Sequence, residues 1–220
     1  MDYFAMSATD LFQKKEASSM KTLVIVDVQN DFVPGGALEV PFGDEIVGVI
    51  NTIQDRFDLI VATQDWHPAN HVSFASNHRG KQPFDKIDLY DEEQVLWPDH
   101  CVQGTPGAML HPDLDTIRFS AIFRKGMNPE VDSYSGFYDN RRMVSTGLSG
   151  YLKEKGANDL YFCGLAADIC VHYTMLDALH EGFSATLIED ASRPLDISSF
   201  GNLKRQIMEK GVMIINSWEL

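Results

Sequence analysis

Residues 22–28 read TLVIVDV, and this stretch decides the fold. Its aliphatic, mostly β-branched residues do not alternate with polar ones, which is typical of a strand buried on both faces of a parallel sheet. Its one charged residue, Asp27, stands near the carboxyl end of the predicted strand. Because open α/β sheets bind their ligands outside the carboxyl ends of the strands, Asp27 is the first candidate for a functional residue.

Further along the chain, short apolar runs alternate with stretches of helical spacing. The runs predict strands at Leu59–Thr63, Phe119–Arg124, Leu160–Gly164, Ser184–Ile188 and Val212–Ile215. The spacing predicts helices at Asp44–Phe57, with Asp44 as N-cap, at Val171–Glu181 and at Ser198–Lys210. The fold class expected from this alternation is α/β: a single doubly wound domain with a mostly parallel six-stranded sheet and helices on both faces.

The chain of 220 residues has the length of one domain, and no repeat or low-complexity linker divides it. We expect this domain to occupy residues 21–220. Residues 1–20 lack the uninterrupted apolar segment of a secretory signal. We expect them to form a polar extension that is poorly ordered or vector-derived.

The composition excludes several classes of partner. A formal net charge of −14 is the opposite of what a nucleic-acid backbone or an anionic membrane surface requires. No apolar run approaches the ~18–20 residues of a transmembrane helix. Three cysteines, an odd number without disulfide-framework spacing, are typical of a reducing compartment. We therefore expect a cytoplasmic protein that acts on a small molecule, and a homo-oligomer would be common for its class.

Three residues with catalytic chemistry fall at or just after predicted strands: Asp27, Lys125 and Cys170. Cys170 also opens a predicted helix, and both a helix N-terminus and a neighbouring lysine lower the pKa of a thiol. A carboxylate can take the thiol proton, and backbone N–H groups of the turn 164–170 can hold an oxyanion. Together the three residues predict a nucleophile, a base and an electrostatic helper.

The other two cysteines serve as a comparison for Cys170, because a single cysteine without catalytic neighbours is usually buried and unreactive. Cys163 lies inside a predicted strand and is expected in the core. Cys101 lies in a long loop and is either a core residue or a reactive one. The prediction for Cys170 therefore depends on Asp27 and Lys125 reaching the same sheet edge.

A second group of candidate residues lies in the segment 64–118, which has weak periodicity and is rich in Trp, His, Pro, Asp and Gly. Asp65, His67 and His100 offer one carboxylate and two imidazoles, a set typical of Zn²⁺, Mn²⁺ or Fe²⁺. We expect one divalent metal ion there, with zinc ahead of manganese and iron. Histidines in loops also act as hydrogen-bonding caps, which is the competing interpretation. His71 is left open between a ligand and a group that orients the loop.

Aromatic residues follow these candidates closely in the sequence. Phe32 lies five residues after Asp27, and Trp97 lies three residues before His100. Either ring can pack on a flat ligand, although most aromatic side chains belong to the core. Phe32, Trp97 and Tyr134 are therefore the candidate substrate-binding residues.

The motifs taken together resemble the nicotinamidase branch of the isochorismatase-like cysteine hydrolases. The similar segments are Val26–Phe32 (VDVQNDF), Pro34–Leu38 (PGGAL), Ala62–Phe74 (ATQDWHPANHVSF), Trp97–Gly107 (WPDHCVQGTPG), Phe123–Gly126 (FRKG), Asp132–Phe137 (DSYSGF) and Cys163–Val171 (CGLAADICV). The resemblance runs from about Lys21 to the C-terminus, and its motifs occur in family order.

The resemblance implies hydrolysis of nicotinamide to nicotinate and ammonia, and of pyrazinamide as well. It implies Cys170 as nucleophile, Asp27 as proton acceptor and Lys125 as the third member of a triad. It also implies a cis peptide between Leu165 and Ala166, which would direct the N–H groups of Ala166 and Cys170 at an oxyanion.

The same resemblance implies Asp65, His67 and His100 as the metal ligands. One departure from the family pattern is visible in the turn before the nucleophile. The family commonly has a threonine and often an aromatic residue where this chain has Ala167 and Ile169. The departure affects side-chain contacts of that turn and leaves the triad intact.

Three alternatives remain beside this hypothesis. A vinyl-ether hydrolase of the same superfamily is disfavoured, because that chemistry needs neither a thiolate nor a metal. An N-carbamoyl or ureido amidohydrolase would keep the Cys, Asp and Lys but would not require the metal ligands. A non-catalytic metal-binding module on the same scaffold is the third, since a fold alone does not imply a function.

Overall fold

A computed structural model describes residues 20–220, so the predicted extension over residues 1–20 lies outside the described residues except for Met20. The strands are β1 (Lys21–Val26), β2 (Leu59–Asp65), β3 (Lys86–Leu89), β4 (Glu92–Val95), β5 (Ala121–Lys125), β6 (Asp159–Leu165), β7 (Ser184–Arg193) and β8 (Met213–Ile215). The α-helices of this part of the chain are α1 (Ile46–Ile53), α2 (Leu148–Lys155), α3 (Cys170–His180) and α4 (Ile197–Glu209).

Six strands form one parallel sheet in the order β5-β2-β1-β6-β7-β8. From β1 the chain first builds outward through β2 to β5, and then returns to the other side of β1 with β6 before continuing to β7 and β8. The strand order therefore reverses between β1 and β6. Ligands of open α/β sheets bind outside the carboxyl ends of strands at such a point, so the fold itself marks where a site belongs.

Successive residues of β1 pack into different cores, as expected for a strand covered on both faces. Leu23 and Ile25 belong to the cluster that includes α1. Val24 and Val26 belong to the cluster that includes α2, α3 and α4. All four side chains are fully buried. The predicted α/β class, the six-stranded parallel sheet and the helices on both faces are confirmed.

The ends of several elements differ from the prediction. Helix α1 begins at Ile46, after a single 3₁₀ turn that contains Asp44, and no side chain caps it. The predicted capping role of Asp44 was therefore wrong. The helix also ends at Ile53, and Phe57 is extended and buried instead of helical. Strand β7 continues past Ile188 to Arg193, because a register shift beside Gly164 of β6 lets the two strands pair again.

Two elements were not predicted, and each has weak sequence signals. Helix α2 buries Leu148 and Leu152 but presents mostly polar residues elsewhere, so its apolar pattern is only one turn long. The hairpin of β3 and β4 turns at Tyr90 and Asp91, which both have positive φ values, 59° and 65°. Such a tight turn is usually marked by glycine, and this one contains none.

Within residues 20–220, no helix combines the length and the hydropathy needed to cross a lipid bilayer.

Candidate active site

Asp27 follows β1 at the reversal point and is completely buried. Its backbone lies in the left-handed region with φ of 48°. Thr63 Oγ1, from the neighbouring β2, donates a hydrogen bond of 2.6 Å to Asp27 Oδ1. The second carboxylate oxygen, Oδ2, lies 2.9 Å from Lys125 Nζ. The carboxylate is therefore held from two sides by residues of two other strands.

Lys125 is the last residue of β5, and its ammonium group is fully enclosed. Its Nζ atom lies 3.0 Å from Asp65 Oδ1, donates to Ser133 O at 3.0 Å and lies 3.5 Å from Cys170 Sγ. Burial by itself would lower the pKa of this lysine, but the nearby carboxylates of Asp27 and Asp65 raise that pKa well above its ordinary value. Lys125 therefore stays charged in the site.

Cys170 is the first residue of α3 and has a relative exposure of 6%. The sequence predicted that the helix N-terminus and the lysine would lower the thiol pKa. Burial instead raises the pKa of Cys170 well above its ordinary value, Lys125 opposes that effect, and Asp27 and Asp65 add to it. Without a ligand the thiol keeps its proton. A base is therefore needed to form the thiolate.

Asp27 is suited to be that base. Burial raises the pKa of its carboxyl group, with Lys125 opposing the shift. A carboxylate of raised pKa accepts a proton more readily than one on the surface. Lys125 Nζ links the two groups, since it lies 2.9 Å from Asp27 Oδ2 and 3.5 Å from Cys170 Sγ. The structure thus brings the three predicted triad residues into one buried group.

The turn before Cys170 presents two unused donors. The peptide bond between Leu165 and Ala166 is cis, as the resemblance implied. Within the described residues, the N–H groups of Ala166 and Cys170 have no hydrogen-bond acceptor, while Ala166 O accepts from both Ile169 N and Val171 N. The turn therefore uses its carbonyl internally and keeps these two N–H groups available for an oxygen atom of a ligand.

The predicted metal ligands also come together. Asp65 ends β2, and ligand atoms of Asp65, His67 and His100 all lie within 4.8 Å of one another in a buried group. Asp65 Oδ2 is 3.1 Å from His67 Nε2 and 3.6 Å from His100 Nε2. Gly126 O lies 2.9 Å from His67 Nδ1, and Pro98 O lies 2.7 Å from His100 Nδ1.

Burial by itself would lower the pKa of His67, but the neighbouring Asp65 raises that pKa. When the two imidazoles are neutral, the carbonyl oxygens at their Nδ1 atoms select the tautomer in which Nδ1 carries the proton and Nε2 offers a lone pair. This arrangement is the usual one for metal-binding histidines. Burial by itself would raise the pKa of Asp65, but His67 and Lys125 hold that pKa well below its ordinary value. The donor set therefore fits a divalent cation.

The sequence allows His71 to be either a metal ligand or a group that orients the loop, and the structure shows what surrounds it. Its ring lies 4.3 Å from that of His67, and its Nδ1 atom is 2.7 Å from Ser73 Oγ. Its buried Nε2 atom has no partner in the described part of the chain. Burial, together with the charge of His67, lowers the pKa of His71 to about 4, so this imidazole is neutral. With His67 and Asp132 it forms a second group of the kind that can hold a metal ion.

A cavity opens beside Cys170 of the triad and the candidate ligands Asp65 and His100. Its lining residues are Phe32, Leu38, Val40, Asp65, Trp97, His100, Asp132, Tyr134, Ala166, Ile169, Cys170 and Leu195. The three predicted substrate-binding residues are all among them. Trp97 Nε1 donates to Tyr134 Oη at 3.3 Å, and the ring of Phe32 lies 5.5 Å from that of His100.

Several residues of the site were not predicted. Asp132 lies within a quoted motif, yet its carboxylate was missed; it accepts from Gln94 Nε2 at 2.9 Å and is buried. Thr63, at the carboxyl end of β2, could have been found by the same strand-end rule that selected Asp27. The aliphatic wall of the cavity has no such signal, because Leu38, Val40, Ile169 and Leu195 come from three separate loops.

Comparison with known proteins agrees with this geometry. Residues 21–206 match the model of the isochorismatase domain family. The chain belongs to the isochorismatase family. One relative in that family, the nicotinamidase of Acinetobacter baylyi, is 50% identical over 196 residues, which cover 89% of this chain and 92% of the relative.

Two solved structures of the family are similar over nearly their whole length. A nicotinamidase/pyrazinamidase of Acinetobacter baumanii is 46% identical, with a TM-score of 0.88, over 93% of this chain and 99% of the other. A pyrazinamidase of Pyrococcus horikoshii, solved in complex with zinc, is 36% identical, with a TM-score of 0.74, over 90% of this chain and 99% of the other. The predicted branch of the isochorismatase family is thereby confirmed.

Proposed function

We propose that this chain hydrolyses nicotinamide to nicotinate and ammonia, and accepts pyrazinamide. One observation carries the proposal: Cys170, Asp65 and His100 line the same cavity, together with the aromatic residues Phe32 and Trp97. A nucleophile and a candidate metal group in one cavity suit a small flat amide that carries a ring nitrogen. The similar nicotinamidases and pyrazinamidase support this choice of substrate.

The first half of the reaction forms a thioester. Asp27 takes the thiol proton of Cys170, and Sγ attacks the carboxamide carbon as the carbonyl electron pair moves onto oxygen. The N–H groups of Ala166 and Cys170 hold that oxyanion. The carbonyl then re-forms as the C–N bond breaks, and the proton on Asp27 goes to nitrogen, so ammonia leaves. Lys125 remains charged throughout and stabilises the negative charge.

The second half consumes water. Asp27, again a carboxylate, takes a proton from a water molecule, whose oxygen attacks the thioester carbon. The same two N–H groups hold the second oxyanion. Collapse breaks the C–S bond, releases the acid and returns the proton from Asp27 to the sulfur of Cys170. The net reaction is amide plus water to carboxylic acid plus ammonia.

We propose that Asp65, His67 and His100 hold one divalent cation, with zinc favoured by the related pyrazinamidase solved with zinc. The observation that supports this fit is that the Nε2 atoms of His67 and His100 converge on Asp65 Oδ2, at 3.1 Å and 3.6 Å. The buried cluster of Asp27, Asp65 and Lys125 also contains two carboxylates and one ammonium group. A bound cation would balance the excess negative charge. When bound, the ion supplies a Lewis-acid contact for a ring nitrogen and so orients the substrate.

The cavity also distinguishes between amide substrates. Among its lining residues in the described chain there is no lysine or arginine. An N-carbamoyl amino acid or a ureido acid carries a carboxylate, for which this lining offers no cationic side chain as a partner. The neutral carboxamides nicotinamide and pyrazinamide carry no such charge.

A catalytic thiol must stay reduced, so we assign the protein to the cytoplasm.

The experiment is a substrate panel with purified protein. Ammonia release is measured from nicotinamide, pyrazinamide, benzamide and an N-carbamoyl amino acid, before and after removal of metal by a chelator. We expect activity on the two nitrogen heterocycles, a large loss after chelation and recovery when zinc is added back. Benzamide, which lacks the ring nitrogen, should be a poor substrate. Release from the N-carbamoyl amino acid alone would contradict the proposal.

A further inference from the structure

The turn that carries the nucleophile is tied to the end of β7 by three hydrogen bonds. Ala167 N donates to Arg193 O at 2.8 Å. The carboxylate of Asp168 accepts two more, from Leu195 N to Oδ1 and from Asp196 N to Oδ2, each 2.8 Å long. Both oxygens of Asp168 are thus used on consecutive N–H groups of another segment.

That second segment is itself well anchored. Arg193 pairs with Leu165 in the parallel ladder of β6 and β7, and its guanidinium donates to Glu45 Oε2 at 3.1 Å. Asp196 is the N-cap of α4, and its side chain accepts from Ser198 N at 2.9 Å. The three hydrogen bonds to this segment therefore connect the nucleophile turn to strand β7 and to helix α4.

In the sequence Asp168 stands midway between Ala166 and Cys170, two residues after the one and two before the other. Both of these residues line the cavity, and their N–H groups have no acceptor in the described part of the chain. Donors for an oxyanion are effective only if their positions are fixed before the negative charge develops. A displacement of such a group by about 1 Å is enough to slow a reaction substantially. The contacts of Asp168 restrain the segment between the two donors.

We propose that Asp168 is a positioning residue that fixes the N–H groups of Ala166 and Cys170 for oxyanion binding. Leu195, which Asp168 holds through its backbone, lines the cavity as well, so the same carboxylate also fixes part of the substrate wall. The inference rests on the proposed function, because it concerns the step in which the amide oxygen becomes negative.

Charge and position predict opposite effects for the removal of this carboxylate. A negative charge two residues before Cys170 disfavours both the thiolate and the oxyanion, so its loss by itself would speed the reaction. A loss of positioning slows the reaction. The sign of the change in kcat after neutralisation of Asp168 therefore separates an effect of its charge from an effect of its position. A measurement of protein stability would not separate them.

The test uses Asp168→Asn in the zinc-loaded full chain, with Asp190→Asn as the matched control. Asp190 also accepts two bonds, from Ser217 N at 2.7 Å and Ser217 Oγ at 2.6 Å, and it does not line the cavity. We expect kcat for nicotinamide to fall roughly tenfold in Asp168→Asn while KM changes by less than about twofold. The control should keep wild-type kcat.

A second measurement uses pyridine-3-carbaldehyde, whose carbonyl carbon bonds to Cys170 Sγ while the thiol proton passes to Asp27 and the oxygen becomes the oxyanion. Its inhibition constant should rise by about the same factor as kcat falls, whereas that of nicotinate should stay constant. If Asp168→Asn does not fold, Asp168→Glu, which keeps the charge but moves it, gives the same comparison.

Wild-type kcat in a folded Asp168 variant, an increased kcat, or equal losses of aldehyde and nicotinate binding would overturn the positioning role. None of these outcomes affects the proposed function. That proposal fails instead if the wild-type protein releases no ammonia from nicotinamide.

Discussion

The Nζ atom of Lys125 lies 2.9 Å from Oδ2 of Asp27, and both side chains are fully buried. The same Nζ atom lies 3.0 Å from Asp65 Oδ1. One ammonium group therefore links the carboxylate beside the thiol to the carboxylate of the candidate metal group. Breaking a buried ion pair is costly because the remaining charge has neither water nor a partner.

Replacing Lys125 by methionine tests this link. The substitution leaves two buried carboxylates without their shared cation, so the free energy of unfolding should fall by about 3 kcal/mol in urea denaturation. Ammonia release should fall at least about a hundredfold. The control is Lys86→Met, whose partner Glu93 lies at 2.7 Å with both side chains at least 60% exposed, and it should change stability by less than about 1 kcal/mol. Equal effects of the two substitutions would contradict the central role of Lys125.

Gly126 offers a test of the metal ligands through the backbone. Its φ is +67°, and a Cβ atom added there would lie 2.3 Å from His67 Cε1, too close for the ring to keep its place. Gly126→Ala should therefore lower zinc affinity by about tenfold or more in competition with a chromophoric chelator. Gly80→Ala adds a similar backbone strain at φ of +78° but meets no atom within 4 Å. A zinc affinity equal to that of the Gly80→Ala control would show that the His67 ring is not held by this contact.

Glu181 predicts a pH dependence of stability away from the site. Hydrogen bonds from Lys153 Nζ, Ser149 Oγ and Tyr138 Oη lower the pKa of Glu181 to about 2. A lowered pKa in the folded state stabilises the protein above the ordinary value near 4.5, and this stabilisation is lost as the pH falls toward 2. Glu181→Gln should thus lower the free energy of unfolding by about 1.5 kcal/mol at pH 7.

The difference between wild type and Glu181→Gln in urea unfolding should stay constant down to about pH 5 and shrink below pH 4.5. Glu209→Gln, at an exposed position on α4, is the control and should show no such trend. A difference that grows as the pH falls would have the wrong sign for this linkage.

Much of the fold could be predicted from the sequence because the buried strands are nearly all aliphatic. A half-exposed strand would leave apolar residues of the run Thr22–Val28 in water, so this run predicts a strand buried on both faces. Because ligands bind at the carboxyl ends of such strands, Asp27 was then expected at the site. Element ends were less predictable. The 3₁₀ turn that contains Asp44 and the turn at Tyr90 and Asp91, which has no glycine, are marked neither by the apolar pattern nor by the usual turn residues.

The grouping of the site was predictable, but its electrostatics were not. The sequence placed Cys170 at a helix N-terminus and so predicted a lowered thiol pKa. It could not tell that burial and two nearby carboxylates would raise that pKa against the opposing effect of Lys125. The aliphatic wall, including Leu38 and Leu195, was equally hidden, because single apolar residues in loops carry no pattern.

The most direct test of the account compares two buried cysteines. Cys170 faces the cavity beside Lys125, whereas Cys163 lies inside β6, fully buried, where burial raises its pKa. The rate of ammonia release from nicotinamide is measured for wild type, Cys163→Ala and Cys170→Ala. We predict that Cys163→Ala keeps activity close to wild type and that Cys170→Ala loses at least about a thousandfold. Ammonia release by Cys170→Ala at the wild-type rate would contradict the thiol mechanism.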